Sequence, residues 1–297
     1  MLRRFLMSIA LIGAFLFPGA ANAAKMRVGA SINDLASIAS SVGGDQIEVF
    51  SIARPSADVH HIEVLPSYMV KVSRAKLFLK VGMGLDQWAD GIIDGSRNEH
   101  IISVDCSKDI PRLEVPTAQV NASMGDVHPY GNPHYWLDPR NGAIIARTVA
   151  DAFASADPAH SAEYHARAEK FAKEAEDTYA RGKAVASAMP VKEMVTYHRS
   201  WTYFGNAFGI DVAGEAEPVP GIPPTAKHLA DIVKIAKERK VPIFLQEPYF
   251  SSDAGNFLAR EAGMRVVVAS PSCDTTAAGS YLAHFSDLFG KISGGKS

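Results

Sequence analysis

"AHSAEYHARAEKFAKEAEDTYARGKAVASAM", residues 159–189, has no proline, one glycine, and a preponderance of alanine, glutamate and lysine. That composition favours helix throughout. Small or apolar side chains recur on one face, at Tyr164, Ala168, Phe171, Ala175, Tyr179, Gly182 and Ala186. Helical from end to end, the stretch spans about 46 Å at the standard rise per residue. A small domain cannot bury that length alone, so the stretch reads as a rigid connector between two domains.

The sequence on either side of it fits that reading. Before it, apolar runs at 26–31, 47–53, 76–82 and 100–106 alternate with helical patterns at 34–44, 66–75 and 85–93. Residues 111–131 carry turn residues and little periodicity, and a helix follows at 138–157. After it, strands at 191–198, 242–248 and 265–270 and an extended stretch at 210–216 alternate with helices at 200–209, 225–240, 253–263 and 280–292. Alternation at these intervals builds βα units around a parallel sheet. The expected fold class is α/β, two parallel-sheet lobes at 24–158 and 190–297 joined by one long helix at 159–189.

Residues 1–23 read as a cleaved secretory signal. Arg3 and Arg4 precede the apolar "FLMSIALIGAFLF", and "ANA" ends the segment with small residues. The periplasm is the expected destination. No later segment reaches the ~18 apolar residues needed to cross a membrane. The formal net charge is −2 and grows more negative once Arg3 and Arg4 leave, which gives no support for nucleic-acid binding. The two cysteines, Cys106 and Cys273, are free to pair in an oxidising compartment, but two are too few for a disulfide scaffold.

Ten histidines are distributed along the chain. His100, His160, His165, His228 and His284 fall on strand starts or helix faces with no partner pattern. His60 and His198 lie just past strands, one in each lobe, and ligands bind at the carboxyl ends of strands in open parallel sheets. His134 sits in "GNPHYWLDP", residues 131–139, between a proline and two aromatics and just before the helix leading to the connector. The three can converge on the cleft between lobes, where neutral imidazoles suit zinc. His61 reads as a rim residue, and Asp58 and Glu63 as candidates to hold an imidazole N–H. His128 reads as exposed and without a role.

The segments carrying these histidines resemble those of the solute-binding components of bacterial zinc/manganese ABC importers, the ZnuA/TroA-like family. "DVHHIEVLPS" (58–67) resembles the first-ligand segment, with Ile62 in place of the usual aromatic. "NPHYWLDP" (132–139) resembles the second and "TYHRSWTYFGNAFGI" (196–210) the third, while "FLQEPYFS" (244–251) resembles a strand end of the family. The resemblance covers nearly all of residues 24–297. It implies two lobes on one long helix, with a metal site in the inter-lobe cleft built from His60, His134 and His198. It also implies a periplasmic monomer that delivers a divalent ion to an inner-membrane ABC permease.

One position departs from the pattern. The family's fourth ligand is an Asp before a Pro after the last strand, and "VVVASPSCDTT" (266–276) has Ser270 before Pro271. Asp274 is the first candidate to restore the charge; Cys273, Glu247, Ser270 or water are the others. A His-rich metal-collecting loop is reduced here to His128 in "NASMGDVHPYG" (121–131). Three histidines favour zinc over manganese, which prefers more oxygen ligands, and manganese is the alternative cargo. Three histidines and a water also match a zinc hydrolase, but no His-Glu-x-x-His motif supplies a general base, so the chain is not expected to be an enzyme.

Overall fold

The computed structural model describes residues 24–118, 120–121 and 124–294. The proposed signal segment, 1–23, lies outside the described residues. In the first lobe, β1 (Met26–Ala30), β2 (Ile47–Ser51), β3 (Leu77–Lys80) and β4 (Ile102–Asp105) form one parallel sheet in the order β2-β1-β3-β4. In the second, β5 (Glu193–Thr196), β6 (Asp211–Glu215), β7 (Ile243–Gln246) and β8 (Arg265–Val268) repeat the arrangement as β6-β5-β7-β8. Every strand pair is parallel. In both sheets the second strand turns to one side of the first and the third to the other. That reversal opens a crevice at the carboxyl ends of β1/β3 and β5/β7.

Helices α1 (Asn33–Gly43), α2 (Pro66–Val72) and α3 (Trp88–Gly95) connect the first four strands, and α4 (Pro139–Ala156) follows the long loop. The start of α4 is written into its sequence. Pro139 occupies the first turn, and the Asp138 carboxylate accepts from the Arg140 N–H at 2.9 Å. The connector is α5 (Ser161–Ala188), 28 residues long. Its buried side is Tyr164, Ala168, Phe171, Ala175, Thr178, Gly182 and Ala186. Thr178 takes the place expected of Tyr179, because the Tyr179 ring lies half-buried under the Arg140 guanidinium, 4.1 Å from its centroid. Gly182 is required by close approach, since a Cβ there would sit 2.5 Å from both Phe208 and Phe289.

Beyond α5 come α6 (Thr202–Phe208), α7 (Ala226–Arg239), α8 (Asp253–Ala262) and α9 (Ser280–Ser293). The chain leaves β8 and crosses back to the first lobe. Trp136 Nε1 donates to the Pro271 carbonyl at 2.8 Å, Asn33 Nδ2 to the Cys273 carbonyl at 3.1 Å, and Ser37 Oγ to the Ala277 carbonyl at 2.7 Å. α9 then packs on α1 and α5. One apolar core consequently runs from Val28 to Ile292 through both lobes, with smaller clusters at Val195–Phe244 and Ile52–Phe78. Cys106 and Cys273 are both buried free thiols, so the pairing that the compartment permits is not formed. No helix among the described residues is long and apolar enough to cross a membrane.

Candidate metal centre

Three loops bring three imidazoles to the crevice. His60 follows β2, in a segment anchored where Trp88 Nε1 donates to the carbonyl of buried Val59 at 2.9 Å. His134 precedes a short 3-10 turn at Tyr135–Leu137, all of it buried. His198 stands two residues past β5. Potential ligand atoms of His60, His134 and His198 all lie within 4.8 Å of one another, the sole such group of three among the described residues. The ring centroids are 5.0, 5.2 and 5.6 Å apart.

Each ring is held by the same atom. His60 Nδ1 is 2.8 Å from Asp58 Oδ1, His134 Nδ1 is 3.0 Å from Asn132 Oδ1, and His198 Nδ1 is 2.6 Å from Glu217 Oε2. The Asn132 oxygen is identified by its second bond, accepted from the His134 backbone N–H at 3.0 Å. All three partners are acceptors, so each Nδ1 carries the proton and each Nε2 is left with its lone pair. His60 Nε2 is buried and has no hydrogen-bond partner. This is the way metal-binding imidazoles are oriented, by an acceptor on the nitrogen remote from the ion.

The holders are themselves held. Asn132 Nδ2 donates to Glu114, to Thr202 Oγ1 and to the Arg199 carbonyl, so the His134 loop is fastened to the second lobe. Glu217 Oε2 also accepts from the Gly221 N–H at 3.0 Å. Burial opposes ionisation of Asp58, but its hydrogen bonds with His60 hold its carboxyl down at about 2. Burial, with His60, His198 and His128 alongside, keeps His134 neutral by pushing its pKa well below the usual histidine value. For His198 burial works the same way and is overcome by Glu217, Glu247 and Asp58, which raise it.

Asp274, the first candidate for a fourth ligand, is not part of this group. It is exposed, on the segment that Asn33 and Asp34 pin against α1 through Cys273. Ser270 is committed elsewhere, its Oγ donating to the Pro55 carbonyl at 2.8 Å. Cys273 Sγ points to the Thr275 carbonyl at 3.4 Å. Glu247 does face His198 electrostatically; its Oε1 accepts from Trp201 Nε1 at 2.9 Å, its Oε2 has no partner, and burial pushes its pKa up to about 7. Of the two carboxylates considered for the His60 side, Asp58 holds the ring and Glu63 is exposed.

Besides Asn132, two residues escaped the sequence reading. Glu217 lies in a proline-rich turn, "EPVPGIPP", and nothing local to it points to a histidine 19 positions earlier. His128 was expected to be exposed; instead its ring is half-buried and stacked on His60, with centroids 5.4 Å apart and planes 26° apart. His61 is on the rim as expected, exposed and 3.5 Å from Asp126 Oδ2. His165 is remote, paired with Asp151 on the surface.

The sequence profile described as "zinc-uptake complex component A periplasmic" matches residues 28–295. The iron-binding protein YfeA of Yersinia pestis is 27% identical over 252 residues, covering 81% of this chain and 75% of its own. The manganese ABC transporter substrate-binding lipoprotein PsaA of Streptococcus mitis is 24% identical over 237 residues, covering 77% of this chain and 74% of its own. A crystal structure of ZnuA superposes with a TM-score of 0.79 at 24% identity, over 91% of this chain and 98% of that one.

Proposed function

The chain belongs to the family of periplasmic zinc-uptake component A proteins, and we propose that it captures a zinc ion outside the cytoplasm and passes it to an inner-membrane ABC permease. The family is one of solute-binding proteins, not enzymes. The ion is cargo, held by His60, His134 and His198 between lobes at 24–158 and 190–297, with 159–189 as connector and 1–23 as the leader. The protein acts as a monomer.

The observation that carries this reading is the set of three Nδ1 anchors, which leaves three Nε2 lone pairs for an ion in a group whose potential ligand atoms lie within 4.8 Å of one another, with no carboxylate among them. An all-imidazole set favours zinc over manganese. One observation favours manganese or iron, the cargoes named for the two relatives above: the buried, unpartnered Glu247 Oε2 is an oxygen donor near His198. Metal analysis of protein recovered from the cell envelope, followed by zinc–manganese competition on the metal-free protein, decides between them. Zinc in the isolated protein and displacement of manganese by equimolar zinc are expected; recovery with manganese or iron that zinc fails to displace would overturn the choice of ion.

A further inference from the structure

A tetrahedral zinc site needs a fourth donor beyond three imidazoles. The positions considered from the sequence do not supply one readily: Asp274 is exposed, Ser270 bonds to Pro55, and Cys273 turns to Thr275. His128 is placed differently. Its ring stacks on that of His60, with centroids 5.4 Å apart, so it stands beside the group of three and next to one of its members. Its Nε2 is buried and has no hydrogen-bond partner. A buried ring nitrogen left unpaired carries a desolvation cost unless something binds it.

The segment carrying His128 is fixed across the mouth of the crevice. The Asp126 N–H donates to the Pro220 carbonyl of the second lobe at 2.8 Å. Gly125 and Gly221 make this clasp possible. Both have positive φ, a Cβ at 125 would stand 2.1 Å from the Pro220 oxygen, and a Cβ at 221 would stand 2.3 Å from Asp126 Oδ2. The clasp closes on the turn whose Gly221 N–H binds Glu217, the holder of His198. The segment is thus tied to the second lobe while its imidazole leans on His60 of the first.

We propose, resting on the metal-centre reading above, that His128 supplies the fourth donor, closing an all-nitrogen set that selects zinc over manganese. Glu247 is the competitor. It sits fully buried at the end of β7, with one oxygen already given to Trp201, whereas the His128 ring is only half-buried.

The test uses the secreted chain with zinc, manganese or cobalt(II) ions alone as probes. Four variants are needed: His128→Ala, His128→Phe, Glu247→Gln and His134→Ala. Phenylalanine keeps a ring stacked on His60 and removes the nitrogen. Both His128 variants are expected to weaken zinc by at least about tenfold, the lower end of what a supporting contact contributes. They should also narrow the preference over manganese and weaken the cobalt visible bands as the site loses its four-coordinate geometry, with the melting temperature of the metal-free protein unchanged. The proposal is overturned if His128→Phe binds zinc like the parent, since the ring then serves packing alone. It is also overturned if Glu247→Gln, and not the His128 variants, lowers affinity. If His134→Ala too binds zinc normally, the metal-centre reading falls with it; if only the His128 variants are silent, that reading stands and the fourth donor is not His128.

Discussion

The two lobes share one strand order and deliver their histidines in different ways. In the first lobe each imidazole is held by the side chain two residues before it, Asp58 for His60 and Asn132 for His134, and the same oxygen also accepts that histidine's backbone N–H. The ring and its backbone are set by one short turn. In the second lobe His198 is held by Glu217 from the far side of β6, with both side chains about 5% exposed, whereas Asp58 remains 25% exposed. Local anchoring tolerates the neighbourhood; long-range anchoring makes the site depend on the packing of a whole βα unit. A site spanning such lobes is as rigid as its least local anchor.

The largest effects belong to the ring nitrogens themselves. Removing an oriented holder of a metal ligand costs roughly 10–100-fold in affinity. Losing the ligand should cost more, so His60→Ala, His134→Ala and His198→Ala are each expected to weaken zinc beyond about a hundredfold, the top of that range. Asp274→Ala, exposed and outside the group, should leave zinc affinity at the parental value. Calorimetric titration of the four variants checks both halves, and a parental affinity in His134→Ala would remove the first lobe from the comparison altogether.

The holders come next, and they separate the lobes. Glu217→Ala should fall near the upper end of about 10–100-fold and Asp58→Ala near the lower. Water can reach and replace a partly exposed carboxylate but not one buried beside His198. Glu217→Ala also frees the Gly221 N–H, loosening the turn. Equal losses in the two variants would mean that anchoring distance has no consequence for this site.

Protons compete with the ion for each Nε2, and the lobes should respond at different pH. The His134 value is depressed, so it stays neutral and ready through the acidic range. The His198 value is raised above the ordinary histidine value of 6.5, so on lowering the pH it is the first of the two to take a proton. Zinc affinity should accordingly begin to fall above pH ~6.5, the unperturbed value, and lose up to about tenfold per pH unit for one competing proton. Glu217→Gln removes the charge that raises His198 and should shift the onset to lower pH. An onset that does not move in that variant would place the controlling proton elsewhere.

What the sequence revealed follows the same division. The alternating strands and helices, the connector and its buried stripe from Tyr164 to Ala186 are local patterns, and they read correctly apart from the exchange of Tyr179 for Thr178. Asp58 was legible as a holder because it lies beside His60. Asn132 holds His134 as locally as Asp58 holds His60, but the reach of its Nδ2 to Arg199 and Thr202 is long-range and shows nothing of itself in the local sequence. Glu217 was illegible because a turn residue 19 positions away has no periodicity to betray it. Asp274 misled for a related reason. Its place depends on where the chain goes after β8, and the bonds from Trp136 to Pro271 and from Asn33 to Cys273 that draw this segment back onto the first lobe are long-range.

The smallest expected effect is on overall shape. Binding proteins that close about a hinge do so on a few loop residues able to absorb large dihedral changes. Here the lobes are joined by the continuous α5, and a single apolar core passes between them with Phe208 and Phe289 packed against Gly182 of that helix. α9 returns from the second lobe to α1 and α5, adding a second crossing. Rotation of one lobe would disturb a close-packed interior, which resists it. Zinc should therefore tighten the segments around His60 and His128 and leave the lobes in place. Small-angle scattering with and without zinc is expected to differ by less than about 1 Å in radius of gyration, against the roughly 19 Å of a compact chain of this size. Hydrogen exchange should slow at 58–63 and at 124–128 while the amides of α5 keep their rates. A larger contraction, or exchange in α5 that changes with zinc, would show that the lobes move as bodies and that the difference between their anchors is overridden by a hinge.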